Sequence, residues 1–158
     1  MEFRPLRRLK QELTDEVILK LLETEKRAVL AVNGDGGYPY AVPVDYYYDN
    51  ENGRIYFHGA GAGHKYDAIS RGNKVCLTIY GREEYRKDDW APYLQSIVLF
   101  GRCRVMNTDE KLPYAKKIGM KYYPTEDDVD RIIEDTMNRL QVFEITIEHI
   151  CGKQIHEQ

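Results

Sequence analysis

The chain has 158 residues, a length typical of one domain that can bury a core without disulfides or structural metals. Its formal charge is −3 with acidic and basic residues mixed, which disfavours a nucleic-acid-binding protein. Its three cysteines form no C-x-x-C pair, its N-terminus is charged, and no apolar run is long enough for a membrane span. We therefore expect a single domain over residues 1–158, with reduced thiols and a cytoplasmic location.

The first part of the chain predicts one helix and three strands. Thr14 is the expected N-cap of the helix, because two acidic residues follow it and complement the helix dipole. Strands are expected over residues 28–32, 38–48 and 54–58, with turn-rich segments between them, so they should form an antiparallel meander. Pro39 and Pro43 lie inside the second strand. Because proline cannot donate to a ladder, this strand should lie at an edge, or be interrupted where another group uses its backbone.

The second part of the chain mixes helices with longer strands. A short helix is expected over residues 64–70, and a charged, exposed excursion over residues 81–92. Thr108 is expected to cap a helix that ends near Gly119. A further helix should start at Thr125, which resembles the first residue of a capping box. The remaining strands are expected over residues 74–80, 93–106 and 141–148.

These six strands favour a small barrel over a βαβ sheet, because their turn signals recur about every 8–12 residues. The fold predicted from the pattern is a mainly β, predominantly antiparallel barrel with helices around it. Cys76 lies in an alternating strand and is expected in the core.

The most specific local signal is the loop of glycine and alanine over residues 59–63. Such residues let a backbone approach a ligand closely, and the first N–H groups of the following helix lack intrahelical partners. Lys65 in that first turn is misplaced for the helix dipole, and a bound phosphate would remove the conflict. The pattern favours an anion site, although a flexible connection followed by chance cations is the simpler alternative.

Other segments carry weaker signals. Within residues 42–44, a proline leaves a carbonyl free for a flat heterocycle, but an edge strand protected from aggregation is the simpler interpretation. Ser96 could bond to a ligand and Trp90 and Tyr93 could cover it, or these residues could simply pack. A metal site at His58 and His64 lacks a third ligand, so no metal is expected. No local context for a hydrolase nucleophile is present.

Three blocks together carry a family resemblance: Tyr-Pro-Tyr-Ala-Val-Pro-Val at 38–44, Ile-Tyr-Phe-His-Gly-Ala-x-x-Gly-x-Lys at 55–65, and Tyr93-x-x-Ser96-x-x-x-x-Gly101. Over about residues 4–150, the chain resembles the pyridoxamine 5′-phosphate oxidase-like proteins that bind FMN, and within them the nitroimidazole-resistance (Nim-type) flavoproteins. The resemblance implies a six-stranded antiparallel split β-barrel with peripheral α-helices. It also implies a homodimer that holds two FMN molecules in grooves between the subunits.

The resemblance also assigns roles to individual residues. Lys65, with loop amides around Gly63 and His64, would hold the FMN phosphate, while residues 42–44 would line the isoalloxazine through their backbone. The residues implied in cofactor binding are Val42, Pro43, Val44, His58, Gly59, Ala60, Gly63, His64, Lys65, Ser96 and Val98. Ser96 and Val98 would contribute to the cofactor site from a neighbouring strand.

The implied function is that of an FMN-dependent oxidoreductase, which passes electrons from a reduced nicotinamide, NAD(P)H, to a small acceptor such as a nitro compound. His58 is then the candidate catalytic residue, as a proton donor, because imidazole titrates near neutral pH. Two alternatives stay open. One is a binding or sensing module that holds a flavin without turnover. The other is a haem-handling relative on the same barrel, using His58, His64 or His149.

Overall fold

Six antiparallel strands close into one barrel, and four helices lie around it in the computed structural model, which describes residues 2–156. The strands are β1 (Arg27–Asn33), β2 (Pro39–Asp49), β3 (Arg54–Ala60), β4 (Lys74–Tyr80), β5 (Tyr93–Val105) and β6 (Leu140–His156). The helices are α1 (Asp15–Thr24), α2 (His64–Arg71), α3 (Lys111–Tyr122) and α4 (Glu126–Thr136). The strand order around the ring is β1-β2-β3-β6-β5-β4, which confirms the predicted antiparallel barrel with peripheral helices.

Alternating side chains fill the barrel because successive residues of a strand face opposite sides. The interior is lined by fully buried aliphatic and aromatic residues from the different strands, among them Leu30, Ile55, Phe57, Leu77, Leu99 and Ile145. Helix α1 packs Ile18, Leu21 and Leu22 against this core. A second cluster, around Tyr56 and Val142, joins the outer side of the barrel to Ala115 and Ile118 of α3.

The ring is split between β2 and β3. The two strands pair only through residues 46–49 of β2 and 54–57 of β3. Residues 39–45 of β2 pair with β1 alone, and residues 58–60 of β3 pair with β6 alone, among the described residues. Both prolines of β2 lie in the part that has no β3 partner. The strand itself is continuous, so the expectation that its proline-containing part lies at an edge is confirmed, and the facing ends of β2 and β3 form what we call the split.

Helix boundaries agree with the predicted caps at two places and differ at a third. The Thr14 hydroxyl accepts a hydrogen bond from the Val17 N–H at 3.4 Å, and the Thr125 hydroxyl accepts one from the Asp128 N–H at 3.2 Å. The predicted cap at Thr108 is wrong, because α3 begins at Lys111. Gly119 does not end α3, since the helix continues to Tyr122.

Strand β6 is much longer than predicted. It runs to His156 because residues 143–156 pair with the whole length of β5, with a bulge between Phe100 and Gly101. The prediction of Cys76 as a core residue is wrong: its side chain is half-buried on the outer side of β4, between inward-facing neighbours. All three cysteines are free thiols. Within residues 2–156, no helix combines the length and apolar character that a membrane crossing requires.

Candidate functional site

A cluster of hydrogen-bond donors lies where β3 passes into α2. Gly63 precedes the helix with φ of 101°, a conformation that favours glycine, and provides no side-chain cap. The N–H groups of residues 64–66 cannot bond within the helix, and no acceptor outside it meets them in the part of the chain that the structure describes. These N–H groups and the Lys65 ammonium form what we call the cradle.

Lys65 places its ammonium over this end of the barrel. Its Nζ lies 5.4 Å from the Phe57 ring centroid and 5.8 Å from that of Phe143. A Cβ at residue 59 would lie 3.1 Å from this Nζ, so Gly59 leaves the room that the lysine occupies. No carboxylate within residues 2–156 pairs with Lys65, and burial lowers its pKa. A half-buried ammonium next to free N–H groups fits a phosphate.

The His64 side chain has a structural task. Its Nε2 accepts a hydrogen bond from the Asp35 N–H at 3.1 Å, and its ring stacks on Tyr40 with centroids 4.1 Å apart. These contacts fix the start of α2 against the turn between β1 and β2. The backbone N–H of His64 therefore belongs to the cradle, while its imidazole is engaged elsewhere.

The free part of β2 faces the split with its backbone. Val42 and Val44 pair with the buried residues Leu30 and Ala28 of β1, so their side chains face the barrel interior, whereas Pro43 is exposed on the outside. A ligand in the split would thus meet main-chain groups of residues 42–44. This geometry fits the role that the resemblance implies for them, which stays a prediction.

A cavity of about 470 Å³ opens between the split and helices α3 and α4. His58, Gly59 and Ala60 line it together with Asp45, and α3 and α4 form its far wall. Water reaches part of the His58 side chain, yet the surrounding protein atoms still lower its pKa through desolvation. Asp45 opposes this effect and Lys65 adds to it, so the net pKa of His58 lies below its ordinary value. These groups therefore favour the neutral imidazole more than water does.

Ser96 and Val98 lie elsewhere in the barrel. They belong to β5, which pairs with β4 and β6, so they do not border the split of their own chain, and their implied role in cofactor binding stays a prediction. The reason is topological: the long β6 lies between β3 and β5. Tyr93 on the same strand stacks on His156, with centroids 3.9 Å apart, and Trp90 is exposed.

A surface without Lys, Arg, Asp or Glu side chains crosses the outside of five neighbouring strands in two rows, and we call it the apolar face. One row aligns Pro43, Val29, Thr78, Val98 and Cys151, and the other aligns Ala41, Ala31, Cys76, Phe100 and His149. Every one of these side chains is half-buried or exposed. Sequence analysis missed this surface, because only the register shows that residues so far apart in the chain form rows.

Sequence analysis also missed the cavity wall. The largely acidic helix α4 carries an apolar stripe formed by Val129, Ile132 and Ile133. This stripe is the sequence feature that could have indicated the cavity wall. The stripe alone does not tell a helix that packs from one that lines a cavity. Within residues 2–156, no group of three or more His, Cys, Asp or Glu side chains could hold a metal ion.

The fold and the cradle together define a class: a six-stranded split-barrel protein with a lysine and free helix N–H groups at the end of β3. A family model described as pyridoxamine 5′-phosphate oxidase matches residues 14–154. The chain belongs to this family.

Solved structures agree on the fold. A protein from Bacteroides thetaiotaomicron, provisionally assigned to 5-nitroimidazole antibiotic resistance, is 19% identical with a TM-score of 0.72, covering 92% of this chain and 87% of its own. A FAD-binding protein from Mesorhizobium loti is 20% identical with a TM-score of 0.64 and coverages of 92% and 97%. A FAD and heme binding protein from Mycobacterium smegmatis is 19% identical with a TM-score of 0.69 and coverages of 94% and 74%. No curated protein matches the chain.

Proposed function

We propose that the protein binds FMN across the split and passes electrons from a reduced nicotinamide to a small acceptor such as a nitro compound. The observation that carries this proposal is the half-buried Lys65 ammonium, which has no carboxylate partner in the described chain and belongs to the helix turn whose N–H groups are free. A single terminal phosphate suits this cradle. The family and the flavin-binding neighbours support a flavin as the molecule that carries that phosphate.

Each part of the chain then has a task. FMN, when bound, supplies the two-electron chemistry. Lys65 and the cradle amides hold its phosphate, while the backbone of residues 42–44 offers donors and acceptors for the ring edge. His58 lies at the wall that the split shares with the cavity and holds the proton for the acceptor. Because its pKa lies below the ordinary 6.5, this donor becomes more available as the pH falls.

A second copy of the chain completes the proposed site. The apolar face is a surface without Lys, Arg, Asp or Glu side chains, of the kind that obligate homodimers bury. It includes Val98, and Ser96 lies on the same strand, so pairing through this face would carry both residues toward the partner's split. The homodimer is thus part of the proposal, and it accounts for two residues that one chain leaves far from its own cradle.

The phosphate cradle is tested by titrating the unloaded protein with FMN. The Lys65→Ala variant should bind about ten- to 150-fold more weakly, because a charge-assisted contact contributes about 1.5–3 kcal/mol. Lys74→Ala removes an exposed lysine at the start of β4 and is the matched control, with unchanged affinity. Equal FMN affinity in the Lys65→Ala variant would remove this residue from the site.

Turnover and the spectrum separate the proposal from its alternatives. The purified protein should show a flavin spectrum, and with FMN it should oxidise NADH or NADPH when a nitro compound is present. A protein that holds FMN but gives no turnover with any acceptor would be a binding module. A Soret band in place of the flavin spectrum would indicate the haem-handling alternative. Full turnover in the His58→Ala variant at full FMN occupancy would exclude His58 as the proton donor.

A further inference from the structure

We propose that the cavity between α3, α4 and the end of β3 binds a small planar aromatic molecule that carries a nitro or carboxylate group. This inference deepens the proposed function, on which it rests, because it names the place and the chemical class of the acceptor. The cavity has a volume of about 470 Å³, within the range of about 300–1,000 Å³ common for small-molecule sites.

The far wall of the cavity is apolar and preformed. Ile118 of α3, Val129 and Ile133 of α4, and Leu140 supply much of its surface. The two helices are held in contact at Gly119, where a Cβ would lie only 2.6 Å from Cγ1 of Val129. Such a wall suits the face and edge of an aromatic ring.

The end of α4 is clamped as well. The buried Lys111 ammonium donates to the carbonyl of Met137 at 3.0 Å and to that of Leu140 at 2.7 Å. This clamp fixes the segment that carries Arg139. The cavity therefore does not depend on a ligand for its shape.

The polar side of the cavity offers donors. His58 and Arg139 both line it, and neither side chain has a hydrogen-bond or ion-pair partner among the described residues. They lie at the same edge, because Ala60, two residues beyond His58, pairs with Leu140, the residue after Arg139. Asp45, the acidic lining residue, already pairs with Arg27, at 3.2 Å.

This set of groups selects a class of ligand. A guanidinium is a planar fork that matches a planar group with two oxygens, and a neutral imidazole can donate one further bond. Nitro and carboxylate groups have that shape and accept hydrogen bonds from both the guanidinium and the imidazole. When such a group is bound there, the aromatic ring that carries it would lie against the apolar wall.

The cavity and the cradle are lined by different side chains. Neither Lys65 nor residues 42–44 line the cavity, whereas Asp45 and residues 58–60, from the two facing strand ends of the split, do. A molecule in the cavity would therefore border a cofactor that is held across the split. A molecule in the cavity would lie directly against the strand that carries His58.

Methyl NMR tests the site without turnover. Nitrobenzene, benzoate and toluene are added in turn to protein labelled at isoleucine, leucine and valine methyl groups, and shifts are followed at Ile118, Ile133 and Leu140. Nitrobenzene and benzoate should shift these methyl groups in a saturable way, and toluene should bind at least tenfold more weakly. Arg139→Gln should remove this preference, because it removes the guanidinium fork but leaves the apolar wall.

A pair of tryptophan variants supplies the matched control. Ile132→Trp fills the mouth of the cavity from α4, where Ile132 is 37% exposed, and should abolish the shifts. Leu112→Trp adds the same ring to α3 at a residue that is 49% exposed and does not line the cavity, and should leave binding unchanged.

Three results would overturn the inference: no methyl shifts, equal effects of the two tryptophan variants, or displacement of the aromatic probe by FMN. The last result would make the cavity part of the flavin site. If the protein binds FMN but none of the aromatic probes, this inference is wrong and the proposed flavin function stands. If it binds the aromatic probes but no flavin, the proposed flavin function is wrong and the aromatic site stands.

Discussion

Neighbouring residues at the end of β3 have three different tasks. His64 is used for packing, Lys65 is left with an unpaired charge, and His58 faces a cavity. All three are cations or potential cations in the sequence, so residue type alone does not separate them. The separation comes from what each side chain meets: a backbone N–H, two aromatic rings, or open space.

Asp45 sets the protonation of His58 from across the split. We expect Asp45→Asn to lower the pKa of His58 further, because the carboxylate is the group that raises it against desolvation and Lys65. The measurement is an NMR titration of the His58 ring. Glu83→Gln, in the exposed segment after β4, is the control and should leave the titration unchanged. An unchanged or raised pKa in the Asp45→Asn variant would contradict this account of the site.

Strand ends and helix contacts shape the site at the level of elements. The split exists because the first half of β2 pairs with β1 alone, where its prolines lie. Helices α3 and α4 then close the far side of the cavity. Their approach depends on Gly119, which the sequence pattern had assigned to a helix end.

Gly119→Ala should destabilise the protein by about 1–3 kcal/mol, since its methyl group would overlap Val129 in a packed contact. The free energy of unfolding in urea measures the effect. Gly72→Ala is a matched control, because a Cβ there would meet nothing within 4 Å. If both variants unfold at the same urea concentration as the parent, the helix contact is looser than the structure shows.

At the level of the whole molecule, the apolar face is covered within the chain only where the Phe3 ring stacks on Phe100 and His149, among the described residues. Its rows cross five strands, and a second copy is the partner that the proposed function requires. Burying this surface would remove Ala31, Cys76 and Phe100 from water together.

Charge placed on this face should separate the copies. We expect the parent to sediment as a dimer and Ala31→Glu to sediment as a monomer with weakened FMN binding, because burying an unpaired carboxylate is costly. Thr146→Glu, on an exposed position of β6 outside the face, should remain dimeric. A parent protein that is a strict monomer and still binds FMN tightly would refute the intersubunit groove.

Much of the fold could be predicted from local patterns. Strand β4 was predicted with both ends correct, and the caps at Thr14 and Thr125 were confirmed, because alternation and capping are properties of a few adjacent residues. The second half of β6 was not predicted, since it forms a strand only by pairing with β5. The predicted N-cap at Thr108 was wrong because a residue that can cap a helix does so only where a helix begins, and α3 begins at Lys111.

Local patterns suffice to predict the barrel class, the Gly-Ala loop with its lysine, and the edge position of the prolines in β2, because each depends mainly on neighbouring residues. Contacts between distant segments determine which histidine is engaged, that Ser96 and Val98 lie away from the cradle of their own chain, and that α3 and α4 enclose a cavity. Those outcomes depend on strand order and helix packing, which join residues far apart in the chain. Strand order placed β6 between β3 and β5, and no pattern within either strand specifies that neighbour.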